Sequence, residues 1–264
     1  MTITLNGYVV ADDDLWLYQW FEVAAFSPSV VRNALRDNPE GEDLVLEINS
    51  PGGNVFDGFE MYSVLKGAKC RTVAQIQSLA ASAASVMASG CQTVQISPVG
   101  QMMIHLPQVR TEGNQKAHKA SIRLLDSITE SIINGYELKC GGKTSRREPE
   151  QLMQEESWIT AQEALELGLA DVILWQDDEA APAIPKNVVN AVSGGIRSLA
   201  TAAAGMPSAD DLMDRYRTLV SQGAIPADGH PVEFPNKVST GIAPKNENDS
   251  WRRMARLSIE KNRF

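Results

Sequence analysis

Only three histidines occur in the 264 residues, and serine chemistry near neutral pH usually needs one as its general base. His230 lies between Gly229 and Pro231 and reads as a loop residue. His118 lies among Lys116 and Lys119 and reads as solvated. His105 differs: in QMMIHLPQ it closes an apolar strand just before Pro107, and strand ends are where parallel α/β sheets gather active-site groups. A core or edge histidine with satisfied bonds would give the same pattern. The candidate nucleophiles sit in SLAASAAS, an uncharged run that spaces Ser78, Ser82 and Ser85 among alanines. A small-residue helix packed tightly against a neighbour is the competing reading. A third stretch, LEINSPGGNVFDGFEMYSVL, reads as a strand, then Ser50-Pro51-Gly52-Gly53, then a helix. Two glycines let the backbone present an N–H without Cβ obstruction, which suits an oxyanion near a helix start. Taken alone, SPGG fits a tight turn equally well.

The elements that must position these residues alternate. ITLNGYVV, LVLEINS, TVAQI, TVQIS and QMMIHL are strand-like. Helical patterns cover Ser27 to Arg36, Val55 to Lys66 and Leu79 to Gly90. The alternation implies an α/β fold with largely parallel strands. A longer helix is expected from Asn114 to Lys139, with Ile122, Leu125, Ile128, Ile132 and Ile133 at helical spacing and Gly141-Gly142 as its stop. A helix this long in a small α/β domain can project and serve assembly.

Past Leu174 the composition changes. WQDDEAAPAIPKNVV is acidic and then proline-bearing, as a linker would be. The division expected is a body over residues 1–176, a linker over 177–195 and a C-terminal extension over 196–264. The extension holds one convincing helix, with Ser208 as N-cap, Asp211 three residues later and Leu212, Met213, Tyr216, Leu219 and Val220 before Gly223. Its last residues, WRRMARLSIEKNRF, are basic and a candidate amphipathic helix.

Bulk properties narrow the function. Hydrophobic content of 43% and charged content of 22% are those of a globular protein. The net charge of −9 falls entirely on the body, since acidic and basic residues balance from Asp177 onward. That sign argues against nucleic-acid binding, which favours a basic face. No run approaches the length of a membrane span, and MTITLNGYVVADDD lacks the pattern of a signal peptide. A cytoplasmic protein is expected. Cys70, Cys91 and Cys140 lack a disulfide-framework spacing and read as thiols in a reducing compartment. No Cys/His cluster suggests a metal.

Four segments in order, EINSPGGNVFDGFEMYSVL, AQIQSLAASAASVMASG, MMIHLP and SWITAQEALELGLADVIL, resemble the Clp protease proteolytic subunit (ClpP) family. These are serine peptidases of the ClpP/crotonase fold. The match runs from about Leu44 to Leu174, and more weakly over Ile3 to Val10. LAASAAS and SWIT are typical of the ClpP-like head-maturation proteases of tailed phages and prophages.

The resemblance implies an α/β fold of repeated ββα units with a projecting long helix, followed here by an extension that the housekeeping subunit lacks. The family's nucleophile is the serine of AAS at the start of a buried helix, which corresponds to Ser82, 29 residues after Gly53. A helix N-terminus there favours developing negative charge, and the small neighbours let a substrate backbone approach. Ser78 stands where the family commonly has glycine. His105 matches the base. Glu156 aligns with the family's aspartate and could hold the imidazole as an aspartate does, with Glu155 able to exchange roles. The backbone N–H groups of Gly53 and Ala83 match the oxyanion donors.

The implied activity is serine endopeptidase chemistry without ATP, metal or organic cofactor, cleaving phage scaffold or capsid precursor. The implied assembly is a homo-oligomer of stacked rings, commonly heptamers, with Asn114 to Lys139 at the ring-to-ring contact. Alternatives are a housekeeping degrader fed by a ring ATPase, a crotonase-like acyl-CoA enzyme, and a ring in which catalysis has lapsed. The extension would contact capsid or scaffold, or be removed by the protease itself through the Ala- and Ser-rich segment from Ser198 to Met206.

Overall fold

The computed structural model describes residues 1–176 and 207–224. The expected linker, the segment Ser198 to Met206, His230 and the basic C-terminal stretch lie outside the described residues. Strands β1 (Thr2–Val9), β2 (Ala25–Phe26), β3 (Leu44–Gly53), β4 (Thr72–Ala81), β5 (Thr93–Ile96) and β8 (Val172–Ile173) form one sheet in the order β2-β1-β3-β4-β5-β8. Every pair along that path is parallel. The helices between them are α1 (Leu15–Trp20), α2 (Pro28–Asp37), α3 (Val55–Lys66), α4 (Ala83–Ser89), α5 (Gln115–Cys140), α6 (Arg147–Gln154) and α7 (Ala161–Leu167).

Local chemistry sets most element ends. Leu44, Leu46 and Ile48 alternate inward along β3, as a strand with one buried face requires. The Asn54 carboxamide caps α3 by accepting from the Phe56 N–H. Asn114 caps α5 in the same way, accepting from Lys116 and Ala117, and Gly141 ends it in the left-handed region. Thr160 and Glu163 make a reciprocal capping box at α7.

Strand β4 divides its pairing. Val73 to Ile76 run beside β5, whereas Leu79 to Ala81 run beside β6 (Gln101–Ile104). The helix expected from Leu79 therefore begins at Ala83, because pairing with Gln101, Met102 and Met103 overrides the helical preference of alanine. Strand β6 also pairs antiparallel with β7 (Ser157–Thr160), matching Ile104 to Ser157 and Met103 to Trp158.

The long helix splits its environment. Ile128, Ile132, Ile133, Tyr136 and Cys140 are buried, while Ile122 and Leu124 in its first half are exposed. At its far end the buried Lys139 ammonium donates to Asp171 at 2.5 Å, and the same Asp171 oxygen accepts from the Val94 N–H at 2.7 Å. Asp171 thus ties α5 to the start of β5.

A second, smaller core joins the region around α1 to a helix far along the chain. Val10, Leu17, Tyr18, Trp20 and Phe21 pack with Leu212 and Tyr216 of α8 (Ala209–Ser221). Ser208 and Asp211 form the capping box expected for this helix. No helix among the described residues is long and apolar enough to cross a membrane.

Candidate active site

Ser82 and His105 directly follow the carboxyl ends of two adjacent parallel strands, β4 and β6, in which Ala81 pairs with Met103. Outside the carboxyl ends of parallel strands is where α/β sheets place ligands. The Ser82 N–H donates to the Met103 carbonyl at 2.8 Å. The Ser82 Oγ lies 2.8 Å from His105 Nε2, within the reach needed for direct proton transfer. Ser82 holds φ 51° and ψ −126°, a backbone region costly for a residue with a Cβ. The hydroxyl is thereby turned out at the entrance of α4.

The other two serines of the run are engaged elsewhere. Ser78 is exposed and donates to Asn49 Oδ1 at 2.8 Å. Ser85 is buried, donates to the Ser82 carbonyl at 2.6 Å and meets the Tyr136 hydroxyl at 2.8 Å. Of the three, Ser82 lines the cavity described below. Among the other histidines, His118 is exposed on α5.

Continuing the β6–β7 ladder by one residue sets Glu156 opposite His105. Glu156 has φ 51° and an exposed carboxylate. Gln108 Nε2 donates to its Oε1 at 3.4 Å, and no hydrogen bond among the described residues joins it to His105. Its influence on the imidazole is through charge: burial pushes the His105 pKa below the usual 6.5, and Glu156 opposes that shift in part. The ring is accordingly neutral near pH 7 and can accept a proton. Glu155 instead accepts from Gln151 Nε2 at 2.8 Å, and it does not line the cavity.

The two glycines close β3 rather than forming a separate turn. Gly52 has φ 92°, and a Cβ there would fall 2.6 Å from the Ala81 carbonyl and 2.7 Å from the Ser82 Cβ. At Gly53, with φ 153°, a Cβ would fall 2.1 Å from the Val9 carbonyl. Only glycine lets β3 approach the serine and β1 this closely. The Gly52 N–H donates to Ser50 Oγ and the Asn54 N–H to the Val9 carbonyl. Gly53 and Ala83 both line the cavity. Ala83 opens α4, so its N–H has no acceptor within that helix.

The cavity measures about 420 Å³. Val86 and Met103 wall it from one side, Leu125, Ile128, Ile132 and Tyr136 from α5, and Trp158 from β7. Phe56, 57% exposed, stands at its edge. The apolar wall was hidden from sequence reasoning because α5 enters the chain far from Ser82. The helical spacing of Leu125, Ile128 and Ile132 was its only signal. Burial raises the Cys91 thiol to about 12 and that of Cys140 to about 11, so neither supplies a thiolate near neutral pH. No group of three or more His, Cys, Asp or Glu suited to a metal occurs among the described residues. The arrangement can therefore support attack by Ser82 with His105 as base.

A family model described as Clp protease matches residues 30–177. The chain is similar to the ATP-dependent Clp protease proteolytic subunit of Porphyromonas gingivalis, 28% identical over 136 residues, covering 51% of this chain and 60% of that subunit. It is 32% identical over 143 residues to the ATP-dependent Clp protease proteolytic subunit 1 of Chlamydia abortus, covering 52% of this chain and 72% of that subunit. The corresponding subunit of Chlamydia trachomatis serovar D is 32% identical over 142 residues, with the same coverage.

Proposed function

The chain belongs to the Clp protease family, and from that premise we propose that it is a serine endopeptidase with Ser82 as nucleophile and His105 as general base. The observation that carries the reading is the 2.8 Å contact between Ser82 Oγ and His105 Nε2 at the edge of an apolar cavity. In the first half-reaction Ser82 attacks the peptide carbonyl while Nε2 takes the hydroxyl proton. The proton then passes to the leaving amine, and water activated by the same nitrogen resolves the acyl-enzyme. The N–H groups of Gly53 and Ala83 receive the developing oxyanion, each such donor being worth on the order of 100- to 1000-fold in turnover. Glu156 supplies negative charge that stabilises the imidazolium.

Labelling with a fluorophosphonate tests this assignment. Adduct mapped to Ser82 in the wild type and missing from Ser82→Ala supports it. No adduct in a correctly assembled protein overturns it and favours a ring whose catalysis has lapsed.

The substrate reading is head maturation of a tailed phage or prophage, with scaffold or capsid precursor cut in the host cytoplasm without ATP. It rests on LAASAAS and SWIT, and on an extension over residues 196–264 appended to a protease domain over 1–176. Assembly as stacked homo-oligomeric rings fits the family and the exposed Ile122 and Leu124 of α5. A second reading is favoured by the relatives, which are named ATP-dependent subunits: a degrader fed by a ring ATPase. Incubation with purified capsid precursor, with and without a Clp ATPase and ATP, separates the two. ATP-independent cleavage at one site supports maturation, whereas ATP-dependent processive loss of an unfolded substrate supports the degrader.

A further inference from the structure

The strained conformation of Ser82 must be held from outside, since a non-glycine residue at φ 51° and ψ −126° persists only where its surroundings over-determine it. On the amide side the Met103 carbonyl holds it, accepting from the Ser82 N–H at 2.8 Å. On the carbonyl side the backbone N–H groups of Ser85 and Val86 donate at 3.0 and 3.3 Å, and the shortest contact comes from a side chain. Ser85 Oγ lies 2.6 Å from the Ser82 carbonyl and 3.4 Å from that of Met103. One hydroxyl has one proton, and the shorter contact takes it.

Ser85 Oγ is then left to accept, and the Tyr136 hydroxyl 2.8 Å away is its donor. Tyr136 is 1% exposed on α5, and burial holds its phenol well above the ordinary pKa and therefore protonated. The direction of the chain follows: Tyr136 O–H to Ser85 Oγ, and Ser85 O–H to the Ser82 carbonyl. Every member is buried or aimed inward, where a satisfied polar network rigidifies and a broken one is costly. Tyr136 also lines the cavity, so the residue meets the site twice.

Resting on the assignment of Ser82 as nucleophile, we propose that Tyr136 and Ser85 are positioning residues that fix the Ser82 backbone, and hence its hydroxyl, from helix α5. Neither touches the reacting atoms. Their effect is to keep Oγ on the line between His105 Nε2 and the scissile carbonyl.

Tyr136→Phe removes the donor and keeps the ring. Tyr62→Phe is the control, because the Tyr62 hydroxyl is also buried and has no partner among the described residues. Both variants, with Ser85→Ala and the double variant Ser85→Ala/Tyr136→Phe, are assembled as the full chain. Each is titrated with a fluorophosphonate to separate the inactivation rate from probe affinity. Misplacement of a reacting group by a fraction of an ångström should slow inactivation on the order of 10- to 100-fold in Tyr136→Phe. Probe affinity should stay within about twofold, and the double variant should be no slower than Ser85→Ala. Tyr62→Phe should react at the wild-type rate. An unchanged rate in Tyr136→Phe, a loss confined to probe affinity, or additive losses in the double variant would overturn the relay while leaving Ser82 as nucleophile. A wild type that takes no label at Ser82 would instead sink the nucleophile assignment, and the relay with it.

Discussion

Glu156 stands opposite His105 at the end of the β6–β7 ladder, yet the group that meets its carboxylate is Gln108, whose Nε2 donates to Oε1 at 3.4 Å. An acid hydrogen-bonded to Nδ1 fixes the imidazole tautomer, and its loss typically costs about 10,000-fold. A carboxylate acting by charge alone, and exposed to solvent, contributes far less.

Glu156→Gln should therefore lower kcat/KM by no more than about tenfold, the equivalent of one pKa unit on the base. The pH profile carries the more specific expectation. His105 must be neutral to accept the serine proton, and its pKa lies below 6.5 because burial disfavours the imidazolium. The acid limb of kcat/KM should thus fall below pH 6.5. Removing the Glu156 charge, which raises that pKa, should move the limb further to acid. A limb that moved toward neutral pH would contradict the charge argument. Linkage has the same origin: a folded pKa below the unfolded one means the unfolded state binds the proton first. The stability attributable to His105 is complete above pH 6.5 and declines as the pH falls toward the folded value.

At Gly52 the expectation is steric. A Cβ would press on the Ala81 carbonyl, the last of β4, and on the Ser82 Cβ just beyond it, at a backbone angle of φ 92° that disfavours any side chain. Gly52→Ala should cost about 1–3 kcal/mol of stability through strain and displace Ser82. Fluorophosphonate labelling at Ser82 should fall at least tenfold at a temperature where circular dichroism shows the variant folded, a displacement penalty of the size expected for misaligned reacting groups. Full labelling of the folded variant would mean that β3 can retreat without disturbing the site.

Asp171 concerns stability alone. It accepts from Lys139, whose side chain is only 5% exposed, and from the Val94 N–H. Asp171→Ala would leave a nearly buried ammonium and a backbone donor unpaired. Discounting the buried-pair value for the 38% exposure of Asp171, the loss should be about 2–3 kcal/mol. Urea unfolding should show an earlier midpoint with an unchanged slope. Restoration in the double variant Lys139→Met/Asp171→Ala would attribute the loss to the stranded charge.

How much of this was legible in the sequence varied with the range of the contact. His105 was legible as a candidate because it closes an apolar strand, whereas Ser82 stood among the three serines of SLAASAAS and was singled out only by the family resemblance. The start of α4 was misplaced because Leu79, Ala80 and Ala81 favour helix in isolation, and only their pairing with β6 makes them strand. Ile122 shares the apolar stripe of α5 with Leu125 and Ile128, yet it is 57% exposed, because helical spacing marks an apolar face without showing what covers it. Tyr136 and Ser85 lie 51 residues apart, and no local pattern links a buried tyrosine to a serine hydroxyl. Glu156 was reached by alignment of a motif; its position opposite His105 depends on an antiparallel register that no single segment reveals. The aromatic cluster around Trp20 was invisible for the same reason, since its Tyr216 comes from α8, far along the chain.

That cluster leads to the last expectation. Helix α8 has 13 residues, a length at which an isolated helix is marginal in water, so its order depends on what it buries. Leu212 is fully buried against the α1 region, and the Tyr216 ring stands edge-on to Trp16 and Trp20 at centroid distances of 5.8 and 5.3 Å. The Tyr18 hydroxyl adds one bond to the Pro207 carbonyl at 2.9 Å. Leu212→Ala removes about 2–5 kcal/mol of such burial, more than a helix held by a few side chains can spare. Hydrogen exchange in residues 209–221 should become fast while β3 and β4 keep their protection, and tryptophan emission should shift to longer wavelength as Trp20 meets water. If α8 instead kept its protection and the whole domain lost stability together, the aromatic cluster would be continuous with the main core, and the extension would belong to the cooperative unit that holds the active site.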